Sequence, residues 1–422
     1  MKLIADIYRE RVGNEKLNTS YPLSPSYWQQ YRVSNRLSFS DSNVLSFYIH
    51  IPFCCHLCSF CEYTRMLCPD EQTQQHYLDT LERDIECFLS DHRNIELKGF
   101  DIGGGTPTAL SEKNFALLID IYRRVVDTVK LSADFEPSIE ATFQTLSVEK
   151  LKRISGAGIK RLSLGVQSSN KRVLHSHKRA DISVEKMREW MATAKSVGIE
   201  KINLDLMYGL KGQLLDDVAC DIEMIEILAP EQITLYELRV NMLANDKPPM
   251  LKEELFEIYK LFYDAFSAMS YNGGFGQNTF SIDKSDFGVS SYLRSRMFEG
   301  IDYKGFGVSA QSMSRDGVSY NIGKNSSSLS NYIHLSSYNE EYTYLLPKRE
   351  ILSKFIAISA YSGRFSLKVA TEILGENSIN YFQQQIDFCI DNNLMTLDDN
   401  TLLVTKKGFL NYGALFSLFY LG

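Results

Sequence analysis

Six short β-rich runs, each followed by a stretch of helical periodicity, recur between residues 44 and 238. The strand candidates are 44–50 (VLSFYIH), 97–103 (LKGFDIG), 137–142 (PSIEAT), 160–166 (KRLSLGV), 200–207 (EKINLDLM) and 232–238 (QITLYEL). Helical spacing fills the gaps at 73–90, 113–129, 146–156, 183–197 and 214–228; over 73–90, Tyr77, Leu81, Ile85 and Leu89 share a face. Strands joined through helices must lie parallel, with right-handed crossovers. Six repeats fall short of the eight that close a barrel. The pattern therefore predicts an α/β chain with an open, partial (β/α)6 barrel, and ligands at the C-terminal ends of its strands.

The flanks read differently. Residues 1–43 are polar, with Pro22 and Pro25 interrupting any helix, and form an N-terminal extension. A helix is expected over 250–270, before the Gly-rich YNGGFGQ at 271–277. The Ser/Asn-rich run 320–337 reads as a loop or linker. Helical patterning returns at 347–422, with a strand-turn-strand in NNLMTLDDNTLLVTKKGFL. This predicts a small winged-helix-like domain over 340–422, after a barrel and its extension over 44–320. The module lacks a basic recognition helix, so it reads as a packing or lid domain.

Charge narrows the partners. The net charge is −7 and the two signs are interspersed, with no basic stripe to follow a phosphate backbone. The N-terminal MKLIADIYRERVGNEK has no apolar core of the kind a secretory signal needs. Nowhere is there a run approaching the ~20 apolar residues of a membrane span. The expectation is a cytoplasmic protein acting on a small molecule, with neither nucleic acid nor membrane as partner.

Four of the eight cysteines fall between positions 54 and 61. A secreted disulfide scaffold would be short and would spread its cysteines over loops, so the cluster points to metal or catalysis. Within HIPFCCHLCSFCEY, Cys54, Cys58 and Cys61 have the spacing C-x3-C-x2-C just after the first strand. Three thiolates can hold three irons of a cubane and leave the fourth open to an outside ligand. A structural zinc site is the alternative, with Cys55, His56 or Cys68 as fourth ligand.

The segment Tyr48–Cys61, YIHIPFCCHLCSFC, resembles the cluster loop of radical S-adenosylmethionine enzymes, and more narrowly that of the oxygen-independent coproporphyrinogen III oxidase family and its heme-chaperone relatives. Five further segments agree with that family in order and spacing: DIGGGTPT at 101–108, SIEATF around Glu140, LSLGVQS with HKRAD, NLDLMYGLKGQ at 203–213 and KGFGVSAQSM at 304–313. The resemblance implies a 4Fe-4S cluster on Cys54, Cys58 and Cys61. It implies S-adenosylmethionine held by Tyr48, Gly104, Gly105, Thr106, Glu140, Gln167, Arg179 and Asp205. Bland readings stand beside each: a tight turn for the glycines, ion-pair or buried carboxylates for Glu140 and Asp205, a core aromatic for Tyr48, a solvated charge for Arg179.

The family also implies a reductant such as flavodoxin or ferredoxin, and often a tetrapyrrole substrate. Cys61 is followed by Glu62 and Tyr63 where the decarboxylases carry C-G-C. Leu293, Arg294, Met297 and Phe298 stand where the heme chaperones carry His-Asn-x-x-Tyr-Trp. One branch transfers methyl groups and uses two S-adenosylmethionine molecules. The reading is a radical enzyme working by hydrogen abstraction or methyl transfer; the competing one is a heme- or tetrapyrrole-binding chaperone without turnover.

Overall fold

The computed structural model describes residues 3–12, 21–22, 25–39, 43–238, 249–323, 326–334 and 340–420. The six runs are six parallel strands: β1 Val44–Ile51, β2 Glu96–Gly104, β3 Ser138–Ala141, β4 Arg161–Gln167, β5 Lys201–Tyr208 and β6 Gln232–Glu237. Both faces of a parallel sheet are covered, which is why its strands read as near-continuous apolar runs. The intervening helices are α1 Glu71–Asp91, α2 Glu112–Thr128, α3 Val148–Gly156, α4 Val184–Ser196 and α5 Leu215–Leu228. Four begin at a side-chain cap: Asp70 accepts from Thr73 N at 2.9 Å, Ser111 from Asn114 N at 3.2 Å, Ser147 from Lys150 N at 3.1 Å and Ser183 from Lys186 N at 3.3 Å.

The sheet does not close. Helix α6 (Lys252–Ala268) leads through the Gly-rich turn into β7, Thr279–Ser281, which pairs antiparallel with β6 and ends that edge. On the other side β8, Tyr303–Phe306, lies parallel to β1, so a seventh parallel strand extends the arc. Its motif, KGFGVSAQSM, continues into β9 (Gln311–Ser314), with β10 (Gly317–Asn321) and β11 (Glu340–Leu345) completing an antiparallel edge. Phe47 of β1 meets Phe88, Phe100 and Phe306 edge-on at 5.3–5.9 Å, filling the space between strands and helices.

One expectation fails on the far side of the sheet. The run 320–337 is not simply a linker: it ends β10 and then forms a helix, Ser326–Ile333. Tyr332 of that helix is buried against Tyr77, with ring centroids 4.9 Å apart. The Ser/Asn composition hid a single aromatic anchor, and packing outweighed turn propensity. Residues 324–325 and 335–337 of that run lie outside the described residues, as do 1–2, 13–20, 23–24 and 40–42 of the N-terminal extension.

The C-terminal part is winged-helix-like. Helix α7 (Lys348–Ser359) precedes a three-stranded sheet of β12 (Arg364–Ser366), β13 (Met395–Asp398) and β14 (Thr401–Val404), with α8 (Leu367–Leu374) and α9 (Gln383–Asp391) between β12 and β13. The last helix, α10 (Tyr412–Tyr420), packs on α7 and on the N-terminal helix Ile4–Val12. The N-terminal extension is held down further on: Tyr21 OH and Trp28 Nε1 both donate to Glu350 Oε2, at 2.5 and 2.9 Å. Arg32–Val33 then pairs with β11. No helix among the described residues is long and apolar enough to cross a membrane.

Candidate functional site

The cysteine loop leaves the end of β1 and is pinched shut at its base. Phe53–Cys54 pairs in parallel with Met66–Leu67; Met66 N donates to Pro52 O at 2.8 Å and Cys68 N to Cys54 O at 2.9 Å. The intervening turn carries Cys58 and Cys61, joined by Cys61 N to Cys58 O at 3.3 Å. Arg65, to which the sequence assigned no role, closes the loop from inside: its Nη2 donates to Cys58 O at 2.6 Å. All three cysteines are free thiols, and Cys54 and Cys58 are buried. Burial pushes the Cys54 thiol up to about 11 and the Cys61 thiol upward.

Two predicted site residues, Thr106 and Arg179, reach cysteine sulfurs of this loop, and the others stand on the neighbouring strands or at their ends. Thr106 Oγ1 points at Cys54 Sγ from 3.7 Å. Gly104, Gly105 and Thr106 have their N–H groups committed inside the protein, to Glu140 Oε2 (3.0 Å), Ile51 O (2.8 Å) and Phe53 O (2.7 Å). The backbone N–H groups of this segment are thus not free for a ligand. A side chain at Gly103 would fall 2.5 Å from the Glu140 carboxyl carbon, so the glycine run is what lets β2 and β3 approach there.

Glu140 opens onto the mouth yet lies deep within it. Desolvation, then the nearby Asp205 and Asp101, push its carboxyl up to about 7, while the Gly104 N–H and Arg161 oppose the shift. Asp205 is raised by burial and held by Asn203 Nδ2 (2.8 Å) and Ser163 Oγ (3.2 Å). The buried Arg161, held by Gln232 (2.7 Å) and Ser138 (2.8 Å), opposes the upward shift of Asp101, Glu140 and Asp205 through its charge, without a direct ion pair to any of them among the described residues. Tyr48 stacks on Tyr292 with centroids 5.7 Å apart, and its hydroxyl lies 3.3 Å from His50 Nδ1.

Gln167 ends β4 with φ 69°, where the register shifts, and its buried Oε1 has no hydrogen-bond partner. A positive φ is costly for a residue with a side chain, and a buried acceptor without a partner is uncommon. Arg179 directs Nη1 to Cys58 Sγ at 3.6 Å and Nη2 to the Gly165 carbonyl. His177 ties the same segment to the cysteine loop through Ser59 Oγ at 2.9 Å. Sequence reading missed Arg65, His50, Asp101 and Arg161; the period-2 inward placement of Tyr48 with His50, and of Asp101 with Gly103, was the signal available for the second and third.

The comparisons bear directly on this arrangement. The model of the Radical SAM superfamily matches residues 48–225. The heme chaperone HemW of Bacillus subtilis (strain 168) is 33% identical over 297 residues, 66% of this chain and 73% of that protein. The chain belongs to the radical S-adenosylmethionine superfamily, in its coproporphyrinogen III oxidase-like family. The heme chaperone HemW of Haemophilus influenzae is 28% identical over 392 residues, 89% of this chain and 97% of that one. The oxygen-independent coproporphyrinogen III oxidase of Escherichia coli (strain K12) is 30% identical over 221 residues, 52% of this chain and 48% of that enzyme. The solved structure of coproporphyrinogen III oxidase (HemN) from Escherichia coli shares the fold, with a TM-score of 0.71 at 22% identity over 89% of this chain and 90% of that one.

The superfamily implies a 4Fe-4S cluster and S-adenosylmethionine, and the donor set fits both. Three free thiols share one loop, and the mouth beside them holds an unpaired amide oxygen and a guanidinium. Among the described residues no three His, Cys, Asp or Glu side chains converge closely enough to hold a single metal ion.

Proposed function

We propose that this chain cleaves S-adenosylmethionine at the mouth of its partial barrel and applies the resulting radical to a tetrapyrrole or a related organic substrate. When bound, the cluster on Cys54, Cys58 and Cys61 supplies the electron that splits S-adenosylmethionine into methionine and a 5'-deoxyadenosyl radical. The observation that carries the reading is Arg179, whose guanidinium lies beside Cys58 and would bind the carboxylate of S-adenosylmethionine. The Gly104–Gly105 segment would meet the ammonium through its carbonyls, since its amides are already used. Gln167 Oε1 and Asp205 offer acceptors to amine and ribose hydroxyls. Tyr48 and Tyr292 give the mouth an apolar wall that keeps water from a reactive centre. The reductant would be a flavodoxin or ferredoxin.

A tetrapyrrole substrate is supported by the names of the relatives, heme chaperone and coproporphyrinogen III oxidase. The same names favour a second reading, tetrapyrrole binding without turnover. Against it, Leu293, Arg294, Met297 and Phe298 supply no imidazole to a heme iron, and Arg294 is committed to Asp134 and Glu299.

The test is anaerobic turnover of the reconstituted protein with porphyrin and non-porphyrin candidates, following 5'-deoxyadenosine and S-adenosylhomocysteine together. The first product alone indicates hydrogen abstraction; both together indicate methyl transfer and a second S-adenosylmethionine. Absence of 5'-deoxyadenosine, with a saturable Soret shift on heme titration, would replace the first reading by the second.

A further inference from the structure

Two cysteines outside the Cys54–Cys58–Cys61 triplet meet at the base of the cysteine loop. The segments Phe53–Cys54 and Met66–Leu67 pair in parallel, with Phe53 opposite Met66 and Cys54 opposite Leu67. In a parallel ladder an amide donates to the carbonyl that precedes its partner residue. Met66 N donates to Pro52 O, the carbonyl before Phe53, and Cys68 N donates to Cys54 O. By the same rule the residue opposite Cys68 is Cys55. Neighbouring strands lie about 4.8 Å apart, within the roughly 4.4–6.8 Å that separates the Cα atoms of a disulfide.

The side chains agree with this placement. Cys54 turns toward Thr106, and side chains alternate along a strand, so Cys55 faces away from the triplet. Cys55 is exposed and Cys68 half-buried, and both are free thiols. Cys68 Sγ is held in place, donating to Ala109 O at 3.3 Å and accepting from Gln74 Nε2 at 3.4 Å. Lys150, fixed by Thr108 O at 2.7 Å, acts electrostatically on both sulfurs, and Cys55 acts on Cys68. The two thiols therefore occupy one spot, with one of them open to solvent.

We propose that Cys55 and Cys68 are a reversible thiol–disulfide pair, oxidised by a small disulfide of the glutathione class, that closes a covalent clasp across the base of the cysteine loop. Cys55 is the point of entry. Its sulfur attacks one sulfur of the small disulfide; the new S–S bond forms, the old one breaks, and one small thiol leaves with the Cys55 proton. The Cys68 sulfur then attacks the Cys55 sulfur, and the second small thiol leaves with the Cys68 proton. Two protein thiols lose two electrons, and the small disulfide gains them. An excess of the small thiol reverses both steps. An accessible pair of this kind belongs to the labile, redox-responsive disulfides rather than the structural ones. The clasp encloses the turn that carries Cys58 and Cys61, so closing it restricts the opening of that turn.

The experiment treats full-length, anaerobically purified, iron-loaded protein with glutathione disulfide, then alkylates it under denaturing conditions and digests it with trypsin. Cys87 and Cys220, also exposed, are the surface-thiol controls. The expected product is a disulfide through Cys55 and Cys68, joining the peptides on either side of Arg65, with iron content unchanged. Excess reduced glutathione should restore both thiols. Cys68→Ser should stop at a single glutathione on Cys55. Iron release to a chelator should be at least about twofold slower from the oxidised than from the reduced wild type, and equal in the two states of Cys68→Ser. Peptide mapping reads the pair whether or not S-adenosylmethionine is cleaved, so this proposal and the proposed function fail separately. Both thiols still alkylatable, a wild type that stops at glutathione on Cys55, or a disulfide through Cys54, Cys58 or Cys61 would each overturn the proposal. Loss of iron on oxidation, or equal release rates in the wild type, would do the same.

Discussion

The guanidinium of Arg179 lies 3.6 Å from the sulfur of Cys58, a residue 121 positions earlier in the chain. The contact joins the loop after β1 to the loop after β4 across the barrel mouth. It is braced at the Arg179 end by the Gly165 carbonyl, and His177 adds a second tie through Ser59. A solvated surface arginine would make none of these contacts, so the side chain is placed by the fold.

Arg179→Ala should lower 5'-deoxyadenosine formation without unfolding the chain. A charge-assisted hydrogen bond to a ligand carboxylate is worth about 1.5–3 kcal/mol, or roughly 10- to 100-fold in binding. Arg179→Lys should recover only part of this, because an ammonium keeps the charge and loses the fork. The check is the apparent affinity for S-adenosylmethionine alongside iron content. Unchanged affinity in both variants would remove Arg179 from the site.

The cysteines should divide into two groups. Replacing Cys54, Cys58 or Cys61 by Ala should abolish the reconstituted cluster, since a cubane held by three thiolates cannot keep its site with two. Cys55→Ala and Cys68→Ala should leave iron and acid-labile sulfide near four each per chain, as Cys55 is exposed and Cys68 donates to Ala109 O at 3.3 Å outside the triplet. Loss of iron in Cys55→Ala with retention in Cys61→Ala would redraw the ligand set.

Gly104→Ala tests the approach of β2 to the mouth. Gly104 has φ 113°, and an added Cβ would lie 2.5 Å from the His50 ring. His50 is fixed by Thr64 O at 2.8 Å, so the ring cannot swing clear without loosening the cysteine loop. Backbone strain plus overpacking should destabilise the chain by about 2–4 kcal/mol, read by chemical denaturation. A change below about 0.5 kcal/mol, the range of surface substitutions, would mean that the turn relaxes freely.

Most of the barrel was legible because parallel strands buried on both faces advertise themselves as apolar runs, and four of the five helices between them start at Asp or Ser caps. The strand ends also carried the candidate site residues, because ligands of barrels of this kind gather there. What escaped has physical reasons. Strand β8 carries a Gly-Phe-Gly that reads as a turn, yet Gly305 is needed because a side chain there would meet the Gln311 carbonyl at 2.4 Å. Trp28 and Tyr21 sit in a polar extension, and their anchoring by Glu350 is a contact across more than 300 residues that no local pattern encodes. Arg161 lies in no motif of the sequence; only the assembled barrel brings its charge to bear on three carboxylates from different strands.

Those carboxylates set a pH dependence whose sign can be worked out. The Glu140 carboxyl is pushed up to about 7, against an ordinary value of about 4.3 for a glutamate in an unfolded chain. Between these two values the folded protein holds more protons than the unfolded one, so stability falls as pH rises through the window. The contribution is fully present below about pH 4.3 and is lost as pH passes about 7. Asp101, pushed up to about 7 chiefly by burial, acts in the same direction. Glu140→Gln is neutral at every pH and keeps an oxygen for the Gly104 N–H, so it should flatten the curve without abolishing the slope that Asp101 leaves. The variant should melt close to the wild type near pH 5 and above it near pH 8, when both are measured in the same ligand-free preparation. Because Glu140 opens onto the mouth, water softens the size of the effect but not its sign. Parallel melting curves from pH 5 to 8 would show that the carboxyl titrates normally, and the deep placement of Glu140 beside Asp205 would then lose its electrostatic meaning.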